Sequence, residues 1–302
     1  MTAERARLWG ALSGTAAAIM WALYFVYARK AAVLDLAPQD VILLRFGVGG
    51  IICLPWLWML GPRDLGGIGW RRGALLALCV GPLFLGAAAW GFHFAPLAHG
   101  AVLQPSTAAV VATLVAVAAL GERLRRAQVV GLILVLGGIG LIGATAAPGL
   151  VPGAWRGHLL FLGAGTLWAA FTIALRVWGV GGVAATVAVN VISALVVLPL
   201  FALFGDPARL LALPVPDLLT QVLVHGVLVA VAAMATYGWA VSLLGIGSAA
   251  LFPAVVPAVA LIIGGPLAGE WPSPVEWVGA IVATAGLAVA MGAVPGLRRF
   301  GL

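Results

Sequence analysis

Ten apolar runs, each close to the length of a membrane-crossing helix, fill this chain almost end to end. About 20 apolar residues carry a helix across the hydrocarbon core of a bilayer. By that measure the runs fall roughly at 8–29, 39–60, 72–93, 96–119, 127–146, 157–177, 184–204, 218–242, 248–268 and 275–294. Short linkers rich in Gly, Pro and charge join them, such as GPRDLGG at 61–67 and GDPARL at 205–210. Of the 302 residues 64% are hydrophobic and 8% charged, whereas a soluble domain carries about 25% charged residues. So few charges cannot cover a water-facing surface. The chain is expected to be an all-α integral membrane protein with no soluble domain.

The formal net charge of +7 sits in short clusters between apolar runs, which is how a polytopic chain records its orientation. With both termini in the cytoplasm, that side holds Arg5, Arg7, Arg63, Arg71, Arg72, Arg123, Arg125, Arg126, Arg176, Arg298 and Arg299, against Arg29, Lys30, Arg156 and Arg209 on the other. The bias predicts cytoplasmic termini. No basic segment is long enough to form a nucleic-acid groove. Cys53 and Cys79 lie within apolar runs and read as small buried hydrophobes. The basic start before the first run looks like a signal peptide, but the run is too long and lacks a cleavage site, so it is expected to stay as a span.

The chain writes several phrases twice. Trp21, Ala22 and Arg29 in MWALYFVYARK return as Trp168, Ala169 and Arg176 in LWAAFTIALRV, 147 residues later. Gly121-Glu122 and Pro105 return as Gly269-Glu270 and Pro253 at a spacing of 148, and Val130-Gly131 and Gly138 as Val278-Gly279 and Gly286. Residues 1–148 and 149–302 are thus two five-helix repeats. Because five is odd, the second enters the membrane from the opposite side. Inverted repeats are a transporter device, in which rocking about a midplane site exchanges the two faces.

With these features the chain resembles the EamA-type ten-helix exporters of the drug/metabolite transporter superfamily. The resemblance rests on the tryptophan-bearing first and sixth spans, P-x7-R-F at 38–46, G-E-R-L at 121–124 and the following Gly131, Gly137 and Gly138. It covers nearly the whole length, twice over. It implies export of small metabolites across a bacterial cytoplasmic (inner) membrane, through a central cavity lined by spans 1, 3, 4, 6, 8 and 9. The aromatic load of those spans is most similar to the YddG-type exporters of aromatic and other neutral amino acids. The family's members carry very different cargo, and a fold does not fix a substrate.

The aromatic set is the main candidate for substrate binding. Trp21, Tyr24 and Trp168 lie on the repeated first and sixth spans, and Trp90, Tyr237 and Trp239 on spans three and eight. Lining a cavity, they would stack on an apolar side chain or hold an ammonium group. Packing between helices is the alternative for each. Pro105 frees backbone groups in span four, where Gln104 and Ser106 are candidate polar contacts for an amino acid; the alternative is that the prolines only shape the bundle. Arg45 falls about 10 Å into the membrane at helical rise and either snorkels outward or attracts a substrate carboxylate. His93, Glu122 and Glu270 are candidates for a charge or gating role, and His93, His99 and His225 equally fit structural histidines. All nine carboxylates fall at span ends or in loops, so no acid for ion coupling is visible deep in a span. Asn190 reads as a bridge between helices, and the glycines of spans five and ten as a packing scaffold or dimer face.

The reading is a secondary transporter exporting small amphipathic metabolites, amino acids including aromatic ones, by alternating access. It needs no cofactor or metal. Its expected partners are the small-molecule substrate and membrane lipid, with the chain a monomer or homodimer. A same-fold importer or exchanger of nucleotide-sugar or phosphorylated cargo is the alternative, and it would need several basic residues on one cavity wall. A polytopic membrane enzyme is least favoured, since no His-Glu-x-x-His, paired-aspartate or Gly-x-Ser-x-Gly cluster is present.

Overall fold

Apolar residues surround most of these helices on every side, which suits a helix whose neighbours are lipid and other helices. A computed structural model describes residues 3–145 and 151–292. The repeat boundary at 148/149 and the basic residues Arg298 and Arg299 lie outside the described residues. The described residues are helical throughout, with no strand among them.

The first repeat comprises α1 (Ala3–Val33), α2 (Pro38–Leu60), α3 (Trp70–Phe94), α4 (Leu97–Leu120) and α5 (Arg126–Ala144). The second comprises α6 (Ala154–Trp178), α7 (Gly182–Phe204), α8 (Val215–Leu244), α9 (Leu251–Ala268) and α10 (Pro274–Ala290). Among the described residues nine of these are long and apolar enough to cross a membrane, and α10 is a shorter apolar helix. The membrane face where α1 begins is the near face and the one where it ends is the distal face.

The helix boundaries have local causes. Gly121 and Gly269 end α4 and α9 in the left-handed conformation, at φ +68° and +71°, which a glycine adopts without Cβ strain. Each therefore stops its helix one residue before a glutamate, so the repeated Gly-Glu phrase is a device that sets a carboxylate at a helix end. Ser273 caps α10, and Glu276 closes the reciprocal capping box.

Three spans depart from regular α-helix. A π-helical segment, Leu43–Gly47, interrupts α2, and a longer one, Val222–Ala232, interrupts α8. Span α3 breaks at Gly81-Pro82, where a Cβ on Gly81 would stand 2.2 Å from the Ala77 carbonyl oxygen. None of these is visible in the apolar pattern, although the Gly-Pro pair at 81–82 signals the break.

The repeats interlock. Helix α1 packs against α8 and α9 of the other half, and α6 packs against α3 and α4. Helices α5 and α10 pack on each other with backbones nearly touching. A Cβ on Gly131 would lie 2.4 Å from Ala290 N, and one on Gly286 would lie 2.6 Å from Val135 N. The expected scaffold is thus a contact within one chain.

Candidate transport site

Interlocking sets the repeat-related charges against each other. Arg29, at the distal end of α1, donates from Nε to Glu270 at the end of α9. Arg176, at the near end of α6, pairs with Glu122 at the end of α4. Each pair joins one repeat to the other, and the two lie at opposite faces. They are not equivalent in their surroundings.

At the distal face the Arg29 and Glu270 side chains keep 21% and 25% of their surface. Arg29 also donates to the Phe92 carbonyl, and Glu270 Oε2 accepts from Leu97 N at 2.9 Å, at the first turn of α4. There the carboxylate meets a free backbone N–H and the positive end of the helix dipole. Gly264 lets α9 close on the same turn, since a Cβ on it would meet Leu97 Cδ2 at 2.2 Å. At the near face Arg176 and Glu122 keep 63% and 39%. The pair borders a recess of about 200 Å³ lined also by Thr113, Ala116 and Gln128. Along α4 every residue from Leu97 to Ala108 except Pro105 is buried, and none from Ala109 to Ala119 is. The distal pair is the more enclosed of the two, and the near pair borders the recess.

Between the two closures lies a polar cluster. Tyr24 is 5% exposed and meets the His225 ring edge-on at 6.1 Å between centroids. The Arg45 guanidinium stands over the Tyr24 ring at 5.8 Å and the Phe46 ring at 5.6 Å. Gln104 neighbours the Tyr24 hydroxyl, yet neither the hydroxyl nor Gln104 Oε1 completes a hydrogen bond of normal geometry. The His225 ring lies near the Tyr27 backbone without completing a hydrogen bond of normal geometry, and the hydroxyls of Ser106 and Thr107 lack partners. A Cβ on Gly226 would meet the Leu44 carbonyl oxygen at 2.7 Å, so the two π segments approach closely and bring His225 toward Arg45. One turn toward the near face on α1, Trp21 packs on Tyr237 with centroids 5.1 Å apart.

The structure therefore brings together Trp21, Tyr24, Gln104, Tyr237 and Arg45, with Ser106 buried on the same helix as Gln104. Trp168 stands apart from them on α6, half-buried against Phe84 and Phe171 at 5.6 and 5.8 Å. Trp90 keeps 50% of its surface and packs on His93 and Phe94. Trp239 keeps 52% and stacks on Trp9. Neither tryptophan joins the cluster. His93 Nε2 lies 3.2 Å from the Leu36 carbonyl, tying α3 to the turn after α1. Asn190 donates to the Thr186 and Ala230 carbonyls and so bridges α7 and α8.

A second polar group joins His99, a structural histidine candidate, to His158 and Glu276, which the sequence did not connect with it. Buried His99 on α4 meets His158 Nε2 of α6 through Nδ1 at 2.7 Å, and Glu276 of α10 through Nε2 at 3.1 Å. Thr145 lies 3.1 Å from the same Nε2. The capping box Ser273-Pro274-Val275-Glu276 is the sequence signal that could have placed Glu276 at a helix start. Its contact with two histidines needs three helices to meet. Among the described residues no group of His, Cys, Asp and Glu side chains is arranged to hold a metal ion.

The comparisons with known proteins follow the same division of the chain. The family model described as EamA-like transporter family matches twice, at residues 8–144 and 155–292. No curated protein matches significantly. A solved structure titled "Crystal structure of protein" aligns with a TM-score of 0.62 and 22% identity, covering 96% of this chain and 98% of that one. At that identity the likeness speaks for the fold. The repeated family match spans nearly all of the sequence in which the doubled motifs were found, and the chain belongs to the EamA-like transporter family.

Proposed function

We propose that this protein is a secondary transporter that exports small amphipathic metabolites, amino acids including aromatic ones, across a bacterial cytoplasmic membrane by alternating access. The observation that carries the reading is the exchange of ion pairs between repeats. One sequence device, glycine then glutamate at the end of the fourth helix of each repeat, meets the arginine of the other repeat's first helix. The distal copy is the more enclosed and the near copy is exposed. Exchange of those two environments would turn a near-facing bundle into a distal-facing one.

The cluster between the closures supports the cargo class. Trp21 and Tyr237 offer apolar faces to a side chain, and unpartnered groups on Tyr24, Gln104 and His225 offer hydrogen bonds. The subtype resembling YddG-type exporters belongs to this proposal. Phosphorylated cargo fits less well, because four basic side chains that could neutralise it are already paired. Arg29 binds Glu270, Lys30 binds Asp217, Arg176 binds Glu122 and Arg209 binds Asp40.

Uptake into proteoliposomes tests the reading, using labelled phenylalanine, tryptophan, leucine and threonine with and without a pH gradient. Saturable flux of aromatic or neutral amino acids is expected. Protein-dependent flux of a nucleotide sugar with none for any amino acid would overturn the cargo class.

A further inference from the structure

One positive charge inside the bundle has nothing of opposite sign beside it. Arg45 lies on the π segment of α2, about 10 Å from the distal end of that span at helical rise. Its side chain is only partly buried, while its Nε has no accessible surface. No ion pair involves it among the described residues, its Nε finds no hydrogen-bond partner, and its neighbours are the rings of Tyr24 and Phe46. An unpaired charge at this depth is expensive to keep. The guanidinium also turns inward over Tyr24, itself buried, and not along the span toward the interface.

The groups around Arg45 are orphaned as well. Gln104 approaches the Tyr24 hydroxyl and the Tyr27 backbone approaches the His225 ring, but neither contact completes a hydrogen bond of normal geometry, and Arg45 acts electrostatically on both residues. Together they supply a guanidinium fork, a phenol O–H and an imidazole N–H, with no carboxylate among them. A donor set of this kind calls for an anionic oxygen ligand. One planar fork matches one carboxylate in bidentate geometry, whereas a phosphate dianion would call for more positive charge than a single arginine provides.

We propose that Arg45, Tyr24 and His225 form the recognition site for the carboxylate of the transported metabolite. The proposal rests on the transport reading above and narrows it to acids. Trp21 precedes Tyr24 by three residues and so shares its helix face. The apolar part of such a substrate then lies against Trp21 and Tyr237, one turn nearer the recess, with its carboxylate toward the more enclosed distal end. Arg45 becomes the group that tells an acid from the corresponding amide or amine.

The test uses full-length protein in detergent, with affinities from ligand-induced thermal stabilisation. The probes are L-phenylalanine, 3-phenylpropionate, benzoate, L-phenylalaninamide and phenethylamine, applied to wild type, Arg45→Gln and Arg45→Lys. Phenylalanine and 3-phenylpropionate are expected to bind at least about tenfold more tightly than the amide and the amine. That preference should vanish in Arg45→Gln and survive in part in Arg45→Lys. Equal affinity for acids, amide and amine would overturn the carboxylate site and leave aromatic cargo standing. Arg45-dependent binding of 3-phenylpropionate or benzoate without binding of phenylalanine would uphold the site and overturn the amino-acid cargo. No Arg45-dependent binding of any acid would overturn the proposal. If Arg45→Gln fails to fold, Tyr24→Phe takes its place, with the acids weakened and the amine unchanged.

Discussion

Arg29 and Glu270 stand 241 residues apart in the chain and share a hydrogen bond at the distal face, while their repeat mates Arg176 and Glu122 meet at the near face. The first pair is reinforced by the Phe92 carbonyl and the Leu97 amide; the second lies in an open recess. The same local sequence thus sits in a more enclosed setting at one end of the bundle than at the other.

That inequality predicts unequal costs. Glu270→Gln removes the charge from a partly buried pair and weakens its bond to the α4 amide, so a loss of about 2 kcal/mol is expected. Glu122→Gln breaks an exposed pair and should cost no more than about 0.5 kcal/mol. Thermal unfolding of both variants in one detergent measures the difference. Equal destabilisation would contradict the difference in enclosure.

The contact between α5 and α10 makes a prediction with its own control. A Cβ on Gly131 would lie 2.4 Å from backbone atoms of Ala290, so Gly131→Val must push the two helices apart. An overpacking cost of about 3 kcal/mol is expected. Gly140 on the same helix has nothing within 4 Å of an added Cβ, and Gly140→Ala should be neutral or slightly stabilising. Unfolding temperatures of the two variants test this directly.

The histidine pair is expected to need a hydrogen-bonding partner at Glu276 and not its negative charge. With His99 Nε2–H donating to Glu276 and His158 Nε2–H donating to His99 Nδ1, one proton arrangement satisfies both contacts. Glu276 Oε2 also accepts from Ser273 N, so Glu276→Gln keeps its one oxygen for that amide and donates to His99 Nε2. With His99 switching tautomer to donate from Nδ1 to His158, stability should change by less than about 1 kcal/mol. Glu276→Ala leaves a buried imidazole unpartnered and should cost about 2 kcal/mol. Similar losses in both variants would show that the charge itself matters.

Transport variants separate the aromatic residues. Trp21→Ala and Tyr237→Ala break the tilted ring pair one turn from Tyr24, and an about tenfold loss of amino-acid flux is expected of each. Trp90→Ala and Trp239→Ala alter rings half open to the surroundings and should leave flux within about twofold of wild type. Uptake rates normalised to reconstituted protein make the comparison.

Much of the fold is legible in the sequence, because membrane spans announce themselves by length and inverted repeats by spacing. Arg29 with Arg176 and Glu122 with Glu270 are found as mates by counting. That each arginine binds the other repeat's glutamate follows only when α1 is seen packed against α9 and α6 against α4. The aromatic candidates were harder to sort. In a helix apolar on all sides no polar face marks the lipid side, so Trp90 and Trp239 look in sequence like Trp21 and Tyr237. The π segments that carry Arg45 and His225 leave no trace in hydrophobic period, and the His99, His158 and Glu276 contact joins three helices whose spacing shows no motif.

The most direct test locks each closure separately. With Cys53 and Cys79 replaced, Arg29→Cys with Glu270→Cys is bridged across the distal face by a bis-methanethiosulfonate spacer held through disulfides, and Arg176→Cys with Glu122→Cys is bridged likewise across the near face. The account predicts that either bridge stops flux in proteoliposomes and that reduction restores it. Undiminished flux with both ends bridged would contradict alternating access through this bundle.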